Sequence, residues 1–167
     1  MEKILETSRL FLRNLREEDA GGIYAYRNDE RCYVYQRWED TSLAAVRELI
    51  AAHGGDVFLS DWEEPPYAIC VSGGELAGDL SYFYTEEDNC ITLGITIAPA
   101  YQRKGYAFEM LRAVVAAVQQ RHPALDIVAL IDKENAPSIA LFEKLGFYRE
   151  CYAQAIGSYV YVIDGKA

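Results

Sequence analysis

The chain has no apolar run approaching the roughly 20 residues that a membrane-spanning helix needs, no Cys-x-x-Cys pair, only 2 histidines and fewer basic than acidic side chains. Each shortage removes a class of function. Without a long apolar run, no membrane association is expected. Cys32, Cys70, Cys90 and Cys151 lie far apart, so reduced structural thiols are expected in preference to disulfides or a zinc site. His53 and His122 stand at no metal-ligand spacing from them, and no metal is expected. The opening Met1-Glu2-Lys3-Ile4-Leu5-Glu6 lacks the basic-then-apolar order of a secretion signal, which makes a cytoplasmic location the expectation. The 16 Lys and Arg against 26 Asp and Glu give a formal net charge of −10. Such a surface repels nucleic acid unless a basic patch is set apart. The best basic cluster is only Arg103-Lys104, so no nucleic-acid partner is expected. The same charge would attract cationic partners such as polyamines, aminoglycosides or basic protein tails, although plain solubility accounts for it as well. Oligomeric state is left open, and a homodimer is compatible with this composition.

What is present is ordinary globular composition, 51% hydrophobic and 25% charged over 167 residues. That suffices for one domain, 1–167, without linker or internal repeat. Arg9-Leu10-Phe11-Leu12-Arg13 alternates as a half-buried strand does. Glu17-Glu18-Asp19 opens a helical stretch to about Arg27, acidic where the helix dipole favours it, and a second helix is expected from Ser42 to Ala52. Tyr67 to Val71 and Glu75 to Tyr84 read as a hairpin, and Cys90 to Ala98 as a third strand. The glycines at 73, 74 and 78 fit turns and match neither dinucleotide nor P-loop spacing. Beyond Pro99 the apolar period becomes helical: Ala107, Met110, Leu111, Val114, Val115 and Val118 form one stripe that ends before Pro123. Ile127 to Ile131 reads as a fully buried strand and Pro137 to Leu145 as a helix. Gly146 is placed to cap that helix in the left-handed conformation, with Phe147 packing back on it. Tyr148 to Ala153 and Ser158 to Ile163 read as a closing hairpin, which completes an α/β pattern.

The stretch from Leu93 to Ala107 carries chemistry. A strand, Leu93-Gly94-Ile95-Thr96-Ile97-Ala98, breaks at Pro99-Ala100-Tyr101 and leads through Gln102-Arg103-Lys104-Gly105-Tyr106-Ala107 into the long helix. A glycine-containing loop at a helix N-terminus offers converging N–H donors and a favourable dipole to a pyrophosphate, and Arg103 and Lys104 add positive charge. An ordinary strand-to-helix turn has the same appearance. This segment resembles the GNAT superfamily of N-acetyltransferases, whose coenzyme A loop follows Gln/Arg-x-x-Gly-x-Gly/Ala; Gln102, Gly105 and Ala107 match it. The resemblance implies a mixed, mostly antiparallel sheet flanked by helices. It also implies a splayed parallel strand pair, 91–98 with 127–131, holding the acetyl-coenzyme A co-substrate, with the backbone of Ile95, Thr96 and Ile97 along the pantetheine arm and Gln102, Arg103, Lys104, Gly105, Tyr106 and Ala107 around the pyrophosphate.

A second segment, Asn135-Ala136-Pro137-Ser138 through Lys144-Leu145-Gly146-Phe147, resembles the family's Asn-x-x-Ser/Ala…Lys-x-Gly-Phe run. Pro137 at the first helical position would hold Ala136 extended and leave Asn135 facing the groove; helix capping by Asn135 and Ser138 is the competing reading of each residue. The opening Glu6-Thr7-Ser8-Arg9-Leu10-Phe11-Leu12-Arg13 is similar to the branch that includes ribosomal-protein N-terminal acetyltransferases. The resemblance implies transfer of acetyl to a primary amine, a protein N-terminus or a small cationic amine, by direct attack in a ternary complex.

Two family features are missing. Many relatives carry a glutamate base on the strand corresponding to residues 90–97, which here has no acid. Glu86, Glu87 and Asp88 read as a polar turn, Asp79 as an outward strand residue, and Thr92 or Thr96 as candidates for ordering a water. Many relatives also use a tyrosine from the last helix as the acid for the departing thiolate, where this chain has Phe142. Ser138, the nearest hydroxyl on that helix, is the catalytic candidate in its place. The early tyrosines Tyr24, Tyr26, Tyr33 and Tyr35, the later Tyr82, Tyr84, Tyr152, Tyr159 and Tyr161, and Trp38 and Trp62 offer an aromatic wall for a cationic amine; strand propensity and core packing explain them too. The missing groups motivate a rival class, a non-catalytic acyl-coenzyme A-binding or sensing module.

Overall fold

The alternating run after Arg9 forms a strand, but water meets neither face of it: Leu10, Phe11, Leu12 and Arg13 are all buried. The computed structural model, which describes residues 2–166, shows why. This strand, β2 (Leu10–Asn14), follows the two-residue β1 (Leu5–Glu6) and lies inside a sheet covered on both sides at this end. Leu10 and Leu12 join the larger apolar cluster, while Phe11 joins a second one on the opposite face. Arg13 stays charged there because Asp19 accepts two hydrogen bonds from its guanidinium, at 2.7 and 2.8 Å, the paired geometry a buried charge requires.

Asp19 ends a short 3₁₀ turn (Glu17–Asp19), so the acidic stretch becomes a turn followed by α1 (Ala20–Arg27) instead of one helix. After it come α2 (Glu30–Tyr33) and α3 (Leu43–His53), the latter capped by the Ser42 side chain accepting from the Ala45 N–H. Six strands and two helices follow: β3 (Tyr67–Val71), β4 (Leu76–Thr85), β5 (Cys90–Ile97), α4 (Tyr106–Arg121), β6 (Asp126–Asp132), α5 (Ala136–Lys144), β7 (Tyr148–Ala153) and β8 (Ser158–Ile163). The strands belong, with β1 and β2, to one sheet in the order β1-β2-β3-β4-β5-β6-β8-β7. Among the described residues, only β5 and β6 run parallel.

The expected apolar stripe of α4 buries Met110, Leu111, Val114, Val115 and Val118 against one face of the sheet. On the other face, α1 and α3 cover β2 and β3 with Ile23, Tyr26, Val46 and Ile50. They stop short of β6. There Cys90, Val128 and Val162 form a small cluster without a helix over it, and Leu130 is 43% exposed, so β6 is not buried throughout as its uninterrupted apolar run implies.

Candidate active site

The site begins where two strands part. β5 and β6 pair at Cys90↔Asp126, Ile91↔Ile127 and Thr92↔Val128, and no further. β5 goes on to Ile97, held by β4 alone. Because the Ala98 N–H donates to Ala77 on the β4 side, at 2.8 Å, alternation along the strand turns the backbone groups of Ile95 and Ile97 the other way, into the gap left by β6. Gly94 lies just past the last paired residue and is exposed in the middle of this central strand, with the Ser81 hydroxyl oxygen 3.2 Å from where a Cβ would stand. A glycine inside a strand leaves room for close approach to the backbone.

At the end of β5 a 3₁₀ turn (Pro99–Tyr101) leads into a loop pinned by Gln102, whose side-chain amide donates to the Ile97 carbonyl at 2.9 Å. Arg103 (φ 60°) and Gly105 (φ 79°) are both left-handed. Gly105 is the N-cap of α4 and gives it no side-chain cap. The Glu109 N–H closes the first helical bond on the Gly105 carbonyl, 3.0 Å, so the amides of Tyr106, Ala107 and Phe108 have no partner within the helix. They border a cavity of about 590 Å³. Free donors at the positive end of a 16-residue helix, with Arg103 beside them, suit an anion such as a diphosphate.

The other walls come from α5 and from the segment after α1. Asn135 caps α5, its side-chain oxygen accepting from the Ser138 N–H at 3.3 Å. The helix starts at Ala136, which puts Pro137 second and not first; Asn135 caps the helix and borders the cavity together with Ser138 and Leu141. The segment Arg31–Gln36 crosses over the parted strands. Cys32 packs its sulfur 3.5 Å from the Ile97 carbonyl, the Gln36 amide reaches the Thr96 hydroxyl at 3.4 Å, and the Tyr35 hydroxyl donates to the Glu134 carbonyl at 3.1 Å. Arg37 continues the crossing to Ser158, at 3.1 Å, and to the Ile156 carbonyl. Burial pushes the Cys32 thiol up to about 11, so it is a protonated packing group at neutral pH.

Of the residues singled out in sequence, Ile95, Thr96, Ile97, Gln102, Arg103, Gly105, Tyr106, Ala107, Asn135 and Ser138 line this one cavity. Lys104 does not; its ammonium lies over the Tyr101 ring, 5.3 Å from the centroid. Sequence reasoning missed Arg31, Cys32 and Gln36. Asp29 accepting from the Arg31 N–H as the N-cap of α2, with Glu30 behind it, was the available signal. The tyrosines do not converge as an aromatic wall. Tyr82 and Tyr161 are core, Tyr26 is on the buried face of α1, and Tyr152 and Tyr159 pack on each other in the last hairpin; of that group only Tyr35 reaches the cavity.

Residues 9–148 match the acetyltransferase (GNAT) domain family. The chain belongs to the GNAT family. It is 25% identical over 146 residues, 87% of this chain and 83% of the relative, to the uncharacterized N-acetyltransferase YnaD of Bacillus subtilis. A spermidine N-acetyltransferase from Vibrio cholerae in complex with CoA and spermine has the same fold (TM-score 0.75, 21% identity, 93% of this chain and 94% of that one). So has RimL, a ribosomal-protein alpha-N acetyltransferase in complex with coenzyme A (TM-score 0.77, 20% identity, 98% of each chain). The parted β5–β6 pair and the mostly antiparallel sheet are thus the GNAT arrangement expected from the two motifs.

Within this GNAT domain, among the described residues, no Asp or Glu lines the cavity. Glu86, Glu87 and Asp88 are exposed in the turn before Cys90, at the far end of β5. Asp79 points inward, not outward: it is 5% exposed, accepts from the Tyr26 hydroxyl and has the Arg27 guanidinium at 3.8 Å. Phe142 is core, edge-on to Phe147 with ring centroids 5.1 Å apart. Among the described residues, no group of three or more His, Cys, Asp or Glu side chains is placed to hold a metal ion.

Proposed function

We propose that this protein transfers acetyl from acetyl-coenzyme A to a primary amine, a peptide N-terminus or a small cationic amine. The observation that carries the reading is the continuity of one cavity from the uncapped N-terminus of α4 to the gap beside Ile95 and Ile97. The diphosphate arm is assigned to the amides of Tyr106, Ala107 and Phe108 with Arg103, and the pantetheine arm to the backbone of Ile95 and Ile97. The acceptor nitrogen attacks the acetyl carbonyl, a C–N bond forms, the C–S bond breaks and the sulfur leaves with the bonding pair. The role of holding the carbonyl oxygen as charge builds on it is assigned to the Ile95 N–H, on the stretch of β5 that pairs with β4 and not with β6. Ser138, the hydroxyl on the first turn of α5, is assigned to relay a proton to the departing sulfur, taking one from water as it gives up its own. With no carboxylate on the cavity wall, the ammonium of the acceptor gives its proton to water, and positioning supplies the acceleration.

The same lack of a carboxylate favours a second reading, a binding or sensing module. Thiol release measured with acetyl-coenzyme A against a panel of peptide N-termini and polyamines separates the two. Turnover on at least one amine is expected; tight binding with no turnover on any amine would give the sensing reading the better claim. Gly105→Glu supplies the binding test. It places a side chain on a left-handed residue with the Arg9 Nη2 3.4 Å from the new Cβ and adds a negative charge beside the diphosphate. Loss of acetyl-coenzyme A binding by calorimetry is expected, and unchanged affinity would remove the loop from the site.

A further inference from the structure

We infer that Arg9 and Glu109 form a positioning pair for the diphosphate arm of the donor, supporting the loop Gln102–Tyr106 from behind and cancelling a carboxylate that would otherwise repel the diphosphate. The inference rests on the coenzyme reading of the cavity. Its starting point is a conflict: Glu109 lies in the first turn of α4, the helix whose free amides face the cavity. A carboxylate there would compete with a bound anion for the same positive helix end.

Glu109 is surrounded by donors. Its Oε1 accepts from the Thr7 hydroxyl at 2.6 Å and the Arg9 N–H at 2.8 Å, and its Oε2 accepts from Arg9 Nε at 2.6 Å. Burial pushes its carboxyl up, but these bonds and the Arg9 charge outweigh burial and leave it below its ordinary value. Glu109 is therefore ionised under any assay condition near neutrality, and its charge is met by the guanidinium beside it.

The same guanidinium touches three consecutive residues of the loop. Nη1 donates to the Lys104 carbonyl at 2.9 Å, Nη2 lies 3.4 Å from the Cβ position of Gly105, and the group stacks over the Tyr106 ring at 4.7 Å. A loop holding left-handed residues at 103 and 105 does not keep that shape without outside contacts. Arg9 supplies them from a chain position about a hundred residues away, which gives the Thr7-Ser8-Arg9 opening a part in donor binding although Arg9 stands outside the cavity wall.

The test measures acetyl-coenzyme A affinity by calorimetry and donor kinetics for wild type, Arg9→Ala, Glu109→Gln and the double variant, with S-acetylpantetheine as a donor that has no diphosphate. Arg9→Ala is expected to weaken acetyl-coenzyme A binding about tenfold and to raise its KM in step, with kcat unchanged, since the two side-chain bonds to Glu109 and Lys104 are lost and Glu109 keeps its charge without a facing cation. The double variant should bind better than Arg9→Ala, because the repelling charge is gone, yet remain weaker than wild type, because the Arg9 contacts to Lys104 and Tyr106 are still missing. Kinetics with S-acetylpantetheine should be the same in every variant. The inference is overturned if the double variant binds no better than Arg9→Ala, or if S-acetylpantetheine turnover falls in parallel, as it would for a merely structural pair. Should Arg9→Ala not fold, Glu109→Gln alone decides: binding equal to or tighter than wild type is expected, and tenfold weaker binding overturns it. Failure of wild type itself to bind acetyl-coenzyme A would instead bring down the coenzyme reading, and is recognised without any variant.

Discussion

Asp79 is enclosed by the Tyr26 hydroxyl and the Arg27 guanidinium under α1. Burial raises its carboxyl from the ordinary 3.8, and Arg27 and Tyr26 only partly offset that. The folded protein therefore holds this proton more tightly than the unfolded chain does. Between the raised value and 3.8, lowering the pH favours the folded state, and the contribution levels off below 3.8. Other carboxylates act in the opposite direction, Asp29 being drawn down to about 2 by its hydrogen bonds from Arg31, so the net acid behaviour hides the effect. A comparison isolates it: the stability of wild type relative to Asp79→Asn should shift in favour of wild type as pH falls from 8 towards 4, read from urea midpoints at each pH. A difference that is flat in pH would mean that Arg27 keeps Asp79 ionised throughout. The sequence could not reveal this residue, because alternation in β4 says that Asp79 and Leu80 face opposite ways but not that α1, more than 50 positions earlier, covers the Asp79 side.

At the level of elements, α5 shows what local sequence does determine. The C-terminal expectation holds in detail: Gly146 is left-handed at φ 94°, its N–H donates to the Glu143 carbonyl, and the Phe147 N–H donates to the Phe142 carbonyl at 3.1 Å. That is the paired bonding of a Schellman end, and the rings of Phe142 and Phe147 meet across it. Gly146→Ala should cost about 1 kcal/mol through strain at a left-handed residue, lowering the melting temperature without changing donor KM, since Gly146 lies off the cavity wall. The other end has two jobs. Asn135→Ala should cost about 1 kcal/mol by removing the N-cap, whereas Asn135→Asp keeps a capping oxygen and should restore the stability. If Asn135 is only a cap, Asn135→Asp restores donor KM as well; a KM that stays raised assigns its amide to the donor. Short and irregular elements were less legible. α2 has four residues, too few for any apolar period to show, and the crossing segment after it is fixed by contacts with Glu134, Ile156 and Ser158, all distant in sequence.

For the whole molecule, the parting of β5 and β6 is a property of topology. Each strand was readable by itself, but that they pair for three residues and then diverge follows from β6 turning to β8 while β5 stays with β4. Only the resemblance to the GNAT family tied the two runs together beforehand. The charge of −10 also acts at this scale, because its field extends beyond any one contact. On the proposed reading a cationic acceptor is drawn towards the protein while the anionic donor is held back everywhere except at the α4 terminus and its basic neighbours. Salt weakens long-range attraction, the screening length falling from about 30 Å at 0.01 M to about 3 Å at 1 M. With acetyl-coenzyme A saturating, kcat/KM for a triamine acceptor should fall about tenfold between 20 mM and 500 mM NaCl, while a monoamine of similar length should change much less. The change should appear in KM and leave kcat nearly constant, since screening alters encounter and binding and not the step at the thioester. Equal salt slopes for the two acceptors would show that the acidic surface serves solubility alone.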